Sequence, residues 1–265
     1  MQKHRIDEEI GVINLFDERW YQIPDQKDSG KTIDVPGVTT YLEAFPKGYA
    51  FKQWMRSVGF NDIEVMRRAG EFGSRFHDLV ERALHGETLL YDEYKDIDLW
   101  KRFMVWFSFW KTLKTTANVS YNDSWIETIV YDHENLYGGR RDFRMTINGK
   151  NIAVDWKSGN YVGDEAQMQI AAYAIAEEKM IRKTDPDFMI HEGWICWFPT
   201  KKPNKAGYRI IKRTRQEMMI DFEDFKHVQA TWRREHKNER PRYKTLPLKI
   251  NIKDISGSSL NKGGK

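Results

Sequence analysis

The chain of 265 residues contains a single cysteine, no long apolar run and a net charge of only +4. Cys196, inside the apolar stretch WICWF, has no partner for an internal disulfide, and no CxxC cluster exists to hold zinc or an iron–sulfur centre. An inert buried thiol in an intracellular compartment is the expectation. No apolar segment approaches the ~20 residues needed to cross a bilayer. With a mean hydropathy of -0.72 and 31% charged residues, the expectation is a soluble protein without a membrane partner. The first residues, MQKHRIDEEIGV, carry both charge signs and resemble neither a secretory signal nor an acid-poor transit peptide; they read as a frayed end or an edge strand. There is no internal repeat.

What is present is enough to bury a core: 40% of the residues are hydrophobic and 14% aromatic. The modest net charge hides an asymmetry. Residues 201–265 hold 18 Lys and Arg against 7 Asp and Glu, a balance of +11, and the other 200 residues balance at −7. A basic C-terminal quarter is either a footprint for a polyanion or a solvated helix and tail.

Short strands are expected over 18–45, broken by PDQKDSGK and leading to the loop VPGVTTYLEAFP. From Phe51 to Leu84 the spacing of Phe72, Phe76, Leu79, Val80 and Ala83 predicts one helix, with Gly86 as its stop. A second helix over roughly 92–115 carries Trp100, Phe103, Trp106, Phe107 and Trp110, whose spacing favours core packing over base stacking. The strand SWIETIVYD follows, then a hairpin, then a helix over 164–181 with Asp164 as N-cap. A strand pair from WICWF to YRIIKRT and a helix over about 217–238 complete a mixed α/β arrangement. SGSSLNKGGK ends the chain with a composition of disorder.

The hairpin holds the chemistry. Asn148-Gly149 is a strong signal for a two-residue type I′ turn, because both turn positions need positive φ. Counting outward from it sets Asp142 opposite Asp155 and puts Lys157 on the same side as both. Phe143, Met145, Ile147, Ile152, Val154 and Trp156 make the opposite, core face. Two carboxylates facing across a strand pair lie ~5 Å apart and repel unless a cation joins them. The trio suits a hard divalent cation with a lysine that orients water or stabilises phosphoryl charge; a cross-strand Asp–Lys pair on a wet face is the competing account.

Gly139-Arg-Arg-Asp142 followed by Asp155-Trp-Lys157 resembles the signature of the PD-(D/E)XK nuclease superfamily. Gln169-Ile-Ala-Ala-Tyr173 is similar to the QxxxY helix of its RecB-type exonuclease branch, and Gly73-Ser-Arg75-Phe-His77-Asp-Leu-Val-Glu81 to the GxxxHxxxE helix. Val35-Pro-Gly-Val-Thr39-Thr40, with Trp54 beyond it, is similar to a PSVT-type segment of phage nucleases and the mitochondrial genome-maintenance exonuclease, with Gly37 where that pattern has serine. The elements keep the family's order over roughly residues 35–235.

The resemblance implies a restriction-endonuclease-like core, a central mixed β-sheet flanked by helices, as one nuclease domain over 1–240 with a basic, flexible tail over 241–265. It implies a deoxyribonuclease dependent on Mg²⁺ or Mn²⁺, working from the ends of single-stranded DNA; the single cysteine rules out the family's iron–sulfur subgroup. Asp142, Asp155 and Lys157 would be catalytic; His77, Asp142, Asp155 and the Trp156 carbonyl would hold the metal. Gln169 and Tyr173 would position the substrate backbone or the lysine, Glu81 would orient a ligand or be a helix-face charge, and Thr39 and Arg75 would contact substrate. DNA is the implied partner, single strands ahead of duplex, with a separate helicase or replication and recombination proteins, in a phage or bacterial cytoplasm rather than a mitochondrion. A structure-specific endonuclease of the same superfamily and a non-cleaving DNA-binding or recombination module stay open.

Overall fold

The computed structural model describes residues 11–241 except 16, 17, 29, 60, 61, 200–203 and 238; the tail over 242–265 and the Trp54 side chain lie outside the described residues. Strands β1 (Gly11–Leu15), β2 (Glu18–Pro24) and β3 (Thr32–Pro36) form an antiparallel three-stranded sheet. Alternation along β2 buries Tyr21 and Ile23 against Val35 and Ile129. Asp25 closes the β2–β3 turn by accepting from the Lys27 N–H at 2.8 Å.

Helices α1 (Val38–Leu42), α2 (Tyr49–Val58), α3 (Asp62–Leu84), α4 (Tyr91–Tyr94) and α5 (Ile97–Thr116) follow. The single helix expected over 51–84 is two, because Gly59 takes φ 63 and ends α2. Gly86, with φ 78, ends α3 as expected. The next helix starts later than expected. Lys95 turns left-handed and Asp96 accepts from the Asp98 and Leu99 N–H groups, capping α5.

The main sheet contains β4 (Val119–Ser120), β5 (Ile126–Asp132), β6 (Tyr137–Ile147), β7 (Lys150–Lys157), β8 (Glu192–Trp197) and β9 (Arg209–Thr214). Its order is β4-β6-β7-β8-β9, with β5 also on β6. The β6–β7 hairpin turns at Asn148 (φ 50) and Gly149 (φ 83). β7 and β8 are parallel, joined by the crossover helix α6 (Glu165–Ile181); the other pairings are antiparallel, so the sheet is mixed.

Helices flank this sheet. Phe143, Met145, Val154 and Trp156 pack with Phe76 of α3 and Phe103, Trp106 and Phe109 of α5. The aromatic run of α5 is therefore core, apart from Phe107, which is 46% exposed. Ala153 and Ile195 pack with α1, α6 and α7 (Arg215–Glu235). α7 begins at a capping box of Thr214 and Glu217. Asp164 does not cap α6: it is already helical, so its carboxylate accepts from Gln167 Nε2 at 3.3 Å instead.

The small sheet meets the large one at Gly138. A backbone bridge joins Gly37 to Gly138, and a Cβ on Gly138 would lie 2.5 Å from Tyr21. The Gly138-Gly139 pair lies in β6 and serves close approach, not a turn. Among the described residues, no helix is long and apolar enough to cross a membrane.

Candidate metal centre

The β6–β7 ladder runs from Ile147↔Lys150 to Phe143↔Val154 and stops one pair short of Asp142 and Asp155. The two carboxylates do not face each other as a simple pair. Asp142 Oδ2 instead accepts from the Trp156 N–H at 2.7 Å. Beyond the end of the ladder the Trp156 amide thus has a charged acceptor in place of a strand partner on β6. Asp142 is 7% exposed and Asp155 1%.

On the other edge of β6, Ile126 and Thr128 of β5 pair with Phe143 and Arg141. Glu127, between them, therefore lies beside Asp142, in a left-handed backbone with φ 47. Such a conformation in a non-glycine residue costs on the order of 1–3 kcal/mol and needs surrounding structure to hold it. Glu127 was not singled out from the sequence. Its only sequence signal is an acid inside the apolar, β-branched strand IETIV.

α3 brings His77 to this pair. Its Nδ1 lies 3.7 Å from both Glu127 Oε1 and Asp142 Oδ2, and its Nε2 lies 2.9 Å from the Trp156 carbonyl. A carbonyl only accepts, so Nε2 carries a proton and Nδ1 faces the carboxylates. Burial alone would push the imidazole down, but Asp142 and Glu127 outweigh it and hold His77 up at about 9. Burial likewise pushes Asp142 up, against the pull of His77. One ligand atom each of His77, Glu127 and Asp142 lies within 4.8 Å of the others. The Trp156 carbonyl is engaged by His77, and the Glu81 side chain makes no hydrogen bond or ion pair among the described residues.

Lys157 leaves the end of β7 toward Asp155, its Nζ at 3.0 and 2.9 Å from the two carboxylate oxygens. Burial raises the Asp155 carboxyl to about 6, with Lys157 opposing and Asp142 adding to the rise. Burial alone would push Lys157 down, yet Asp155 and Asp142 hold it above its ordinary value, so it is an ammonium. Its third contact is Gln169 Oε1 of α6 at 2.9 Å, and Gln169 Nε2 donates to the Tyr173 hydroxyl at 3.2 Å. Gln169 and Tyr173 thus act on the lysine. Tyr173 is 4% exposed and lies over Gly139, where a Cβ would come within 2.2 Å of its ring.

The remaining expected contacts lie elsewhere. Thr39 is exposed on α1. Arg75 donates to Asp96 Oδ2 at 2.7 Å and to the Tyr94 carbonyl at 3.1 Å, tying α3 to the start of α5.

The donor set fits a hard divalent cation. Glu127 and Asp142 converge on His77, and Asp155 lies beside them paired with Lys157; once His77 gives up its proton these groups carry a formal −2 that a cation can balance. The His77 Nδ1 lone pair then points among the same carboxylates.

No family model matches the chain, and no curated protein does. Among solved structures the chain is similar to one described as "Crystal structure of SSO0001", at 14% identity over 66% of this chain and 86% of that chain, with a TM-score of 0.28. A likeness that loose carries no argument about fold or function, and the centre is read from its own residues.

Proposed function

We propose that the protein is a metal-dependent nuclease of the PD-(D/E)XK type that shortens single-stranded DNA from its ends. The observation that carries this reading is the joint placement of Asp142, Asp155, Lys157 and Gln169 beside a His77–Glu127–Asp142 ligand set. A bound divalent cation would supply Lewis-acid stabilisation of charge on the phosphodiester, held by His77, Glu127 and Asp142 with Asp155 beside them.

The chain's own residues do the rest. Lys157 enters as an ammonium, so it donates to a phosphoryl oxygen or to the attacking water; it does not abstract a proton. Asp155 and Gln169 grip its Nζ from two sides, so little reorientation is needed as charge develops. The Tyr173 hydroxyl sets which end of the Gln169 amide faces the lysine. End preference and single-strand preference come from the resemblance of the Gln169–Tyr173 and Gly73–Glu81 helices to those of end-dependent enzymes.

The test compares labelled linear and closed circular DNA, single- and double-stranded, in Mg²⁺ and in EDTA. Linear single strands should shorten in Mg²⁺ alone while circles survive. Asp155→Asn and Lys157→Ala should each lose on the order of a hundredfold or more in rate while still binding DNA. Cutting of circles would make the protein an endonuclease, and absence of any metal-dependent product would leave a binding module.

A further inference from the structure

Gly138, Arg140 and Asp142 follow one another at two-residue steps along β6. The Tyr21 ring covers Gly138, and Arg140 and Glu127 both act on the Tyr21 hydroxyl, so Arg140 lies on the side of the strand that carries Tyr21 and Glu127. Two residues on, Asp142 meets His77. Arg140, between them, is exposed.

Its neighbour shows what a structural arginine looks like in this strand. Arg141 is fully buried, its Nε 2.7 Å from Glu177 Oε2 and its Nη1 on the Trp125 carbonyl at 3.0 Å. Arg140 has no ion pair among the described residues, although Asp142 and Glu127 lie in the next cluster. Those acids face His77 and the Trp156 amide instead. A guanidinium with no ion pair among the described residues, two residues along β6 from Asp142, offers a rigid fork of donors suited to phosphate oxygens. The two-residue step from Asp142 displaces its root by ~6.6 Å, about one nucleotide of a stretched strand.

We infer that Arg140 grips the substrate phosphate adjoining the one under attack, with Tyr21 of the small sheet closing that side of the track. The inference rests on the nuclease reading of the centre and assigns Arg140 to substrate positioning.

The full-length protein is titrated with a fluorescent single-stranded oligodeoxynucleotide in EDTA over a range of salt, as wild type, Arg140→Ala, Arg140→Lys and Arg68→Ala, and cleavage is followed in Mg²⁺. Arg68, paired to Glu64 on the surface of α3, is the control. Arg140→Ala should weaken binding about five- to tenfold, and the slope of log K against log salt should become shallower by about 0.7. Arg140→Lys should keep the slope and lose part of the affinity, and Arg68→Ala should match wild type. Oligonucleotides with one neutral methylphosphonate linkage locate the contact. At one position the neutral linkage should weaken wild type as much as Arg140→Ala does and should weaken that variant no further. An unchanged salt slope in folded Arg140→Ala, or additive losses at every linkage, overturns the inference. A wild type that cleaves while Arg140→Ala binds normally leaves the nuclease reading intact; Arg140-dependent binding without cleavage keeps the contact and removes the nuclease.

Discussion

Gly139→Ala tests how tightly the fold holds the Tyr173–Gln169–Lys157 chain of contacts. The added methyl would lie 2.2 Å from Cε1 and 2.9 Å from Cδ1 of Tyr173, where ordinary contact begins at 3.4 Å. The ring must therefore retreat by roughly 1 Å into packed surroundings, an overpacking cost of about 1–3 kcal/mol. That retreat also stretches the 3.2 Å bond from Gln169 Nε2 to the Tyr173 hydroxyl, worth about 1 kcal/mol more. A destabilisation of about 2–4 kcal/mol is expected, read from urea unfolding by linear extrapolation. Tyr173→Ala alone should cost about 3–5 kcal/mol through the cavity it opens. Combined, the two changes should cost about 2 kcal/mol less than their sum, because the methyl then occupies vacated space. Activity of Gly139→Ala should fall as well, since Gln169 orients Lys157. Additivity of the two substitutions within ~0.5 kcal/mol would refute the contact.

Glu127→Gln and His77→Ala should each raise the Mg²⁺ concentration for half-maximal activity by about 10- to 100-fold. They should also reduce the rise in melting temperature on adding metal; an unchanged midpoint in a folded variant would remove that residue from the ligand set. Acid stability should depend on Asp132, buried beside Lys179 at 2.8 Å. Burial alone would raise its carboxyl, but the Lys179 and Asn135 hydrogen bonds hold it below the ordinary value. Its contribution is therefore complete above about pH 4 and is lost as pH falls through the lower folded value. The stability gap between wild type and Asp132→Asn, about 1–2 kcal/mol at neutral pH, should close in that acid range; a gap independent of pH would show that the charge does not matter.

What the residues announce by themselves is what depends on neighbours a few positions away. Asn148-Gly149 closes the hairpin because only a left-handed pair suits a two-residue turn, and the alternation outward from it puts Phe143, Val154 and Trp156 in the core. The same counting places Lys157 beside Asp155, and a helical four-residue step places Gln169 with Tyr173. Failures begin where one tertiary contact overrides a local preference. Gly59 splits the expected helix, Asp164 is helical and so cannot cap, and Arg75 is drawn to Asp96. Glu127 is the sharpest case. An acid inside an apolar strand is the one mark IETIV gives that glutamate, and only the β5–β6 register, together with its left-handed backbone, sets it beside Asp142 and His77. Tertiary structure likewise decided that Asp142 takes the Trp156 amide and does not stand opposite Asp155. Where a ladder ends depends on the strands that flank both partners, β5 beside β6 and β8 beside β7, so no pattern along the chain records it.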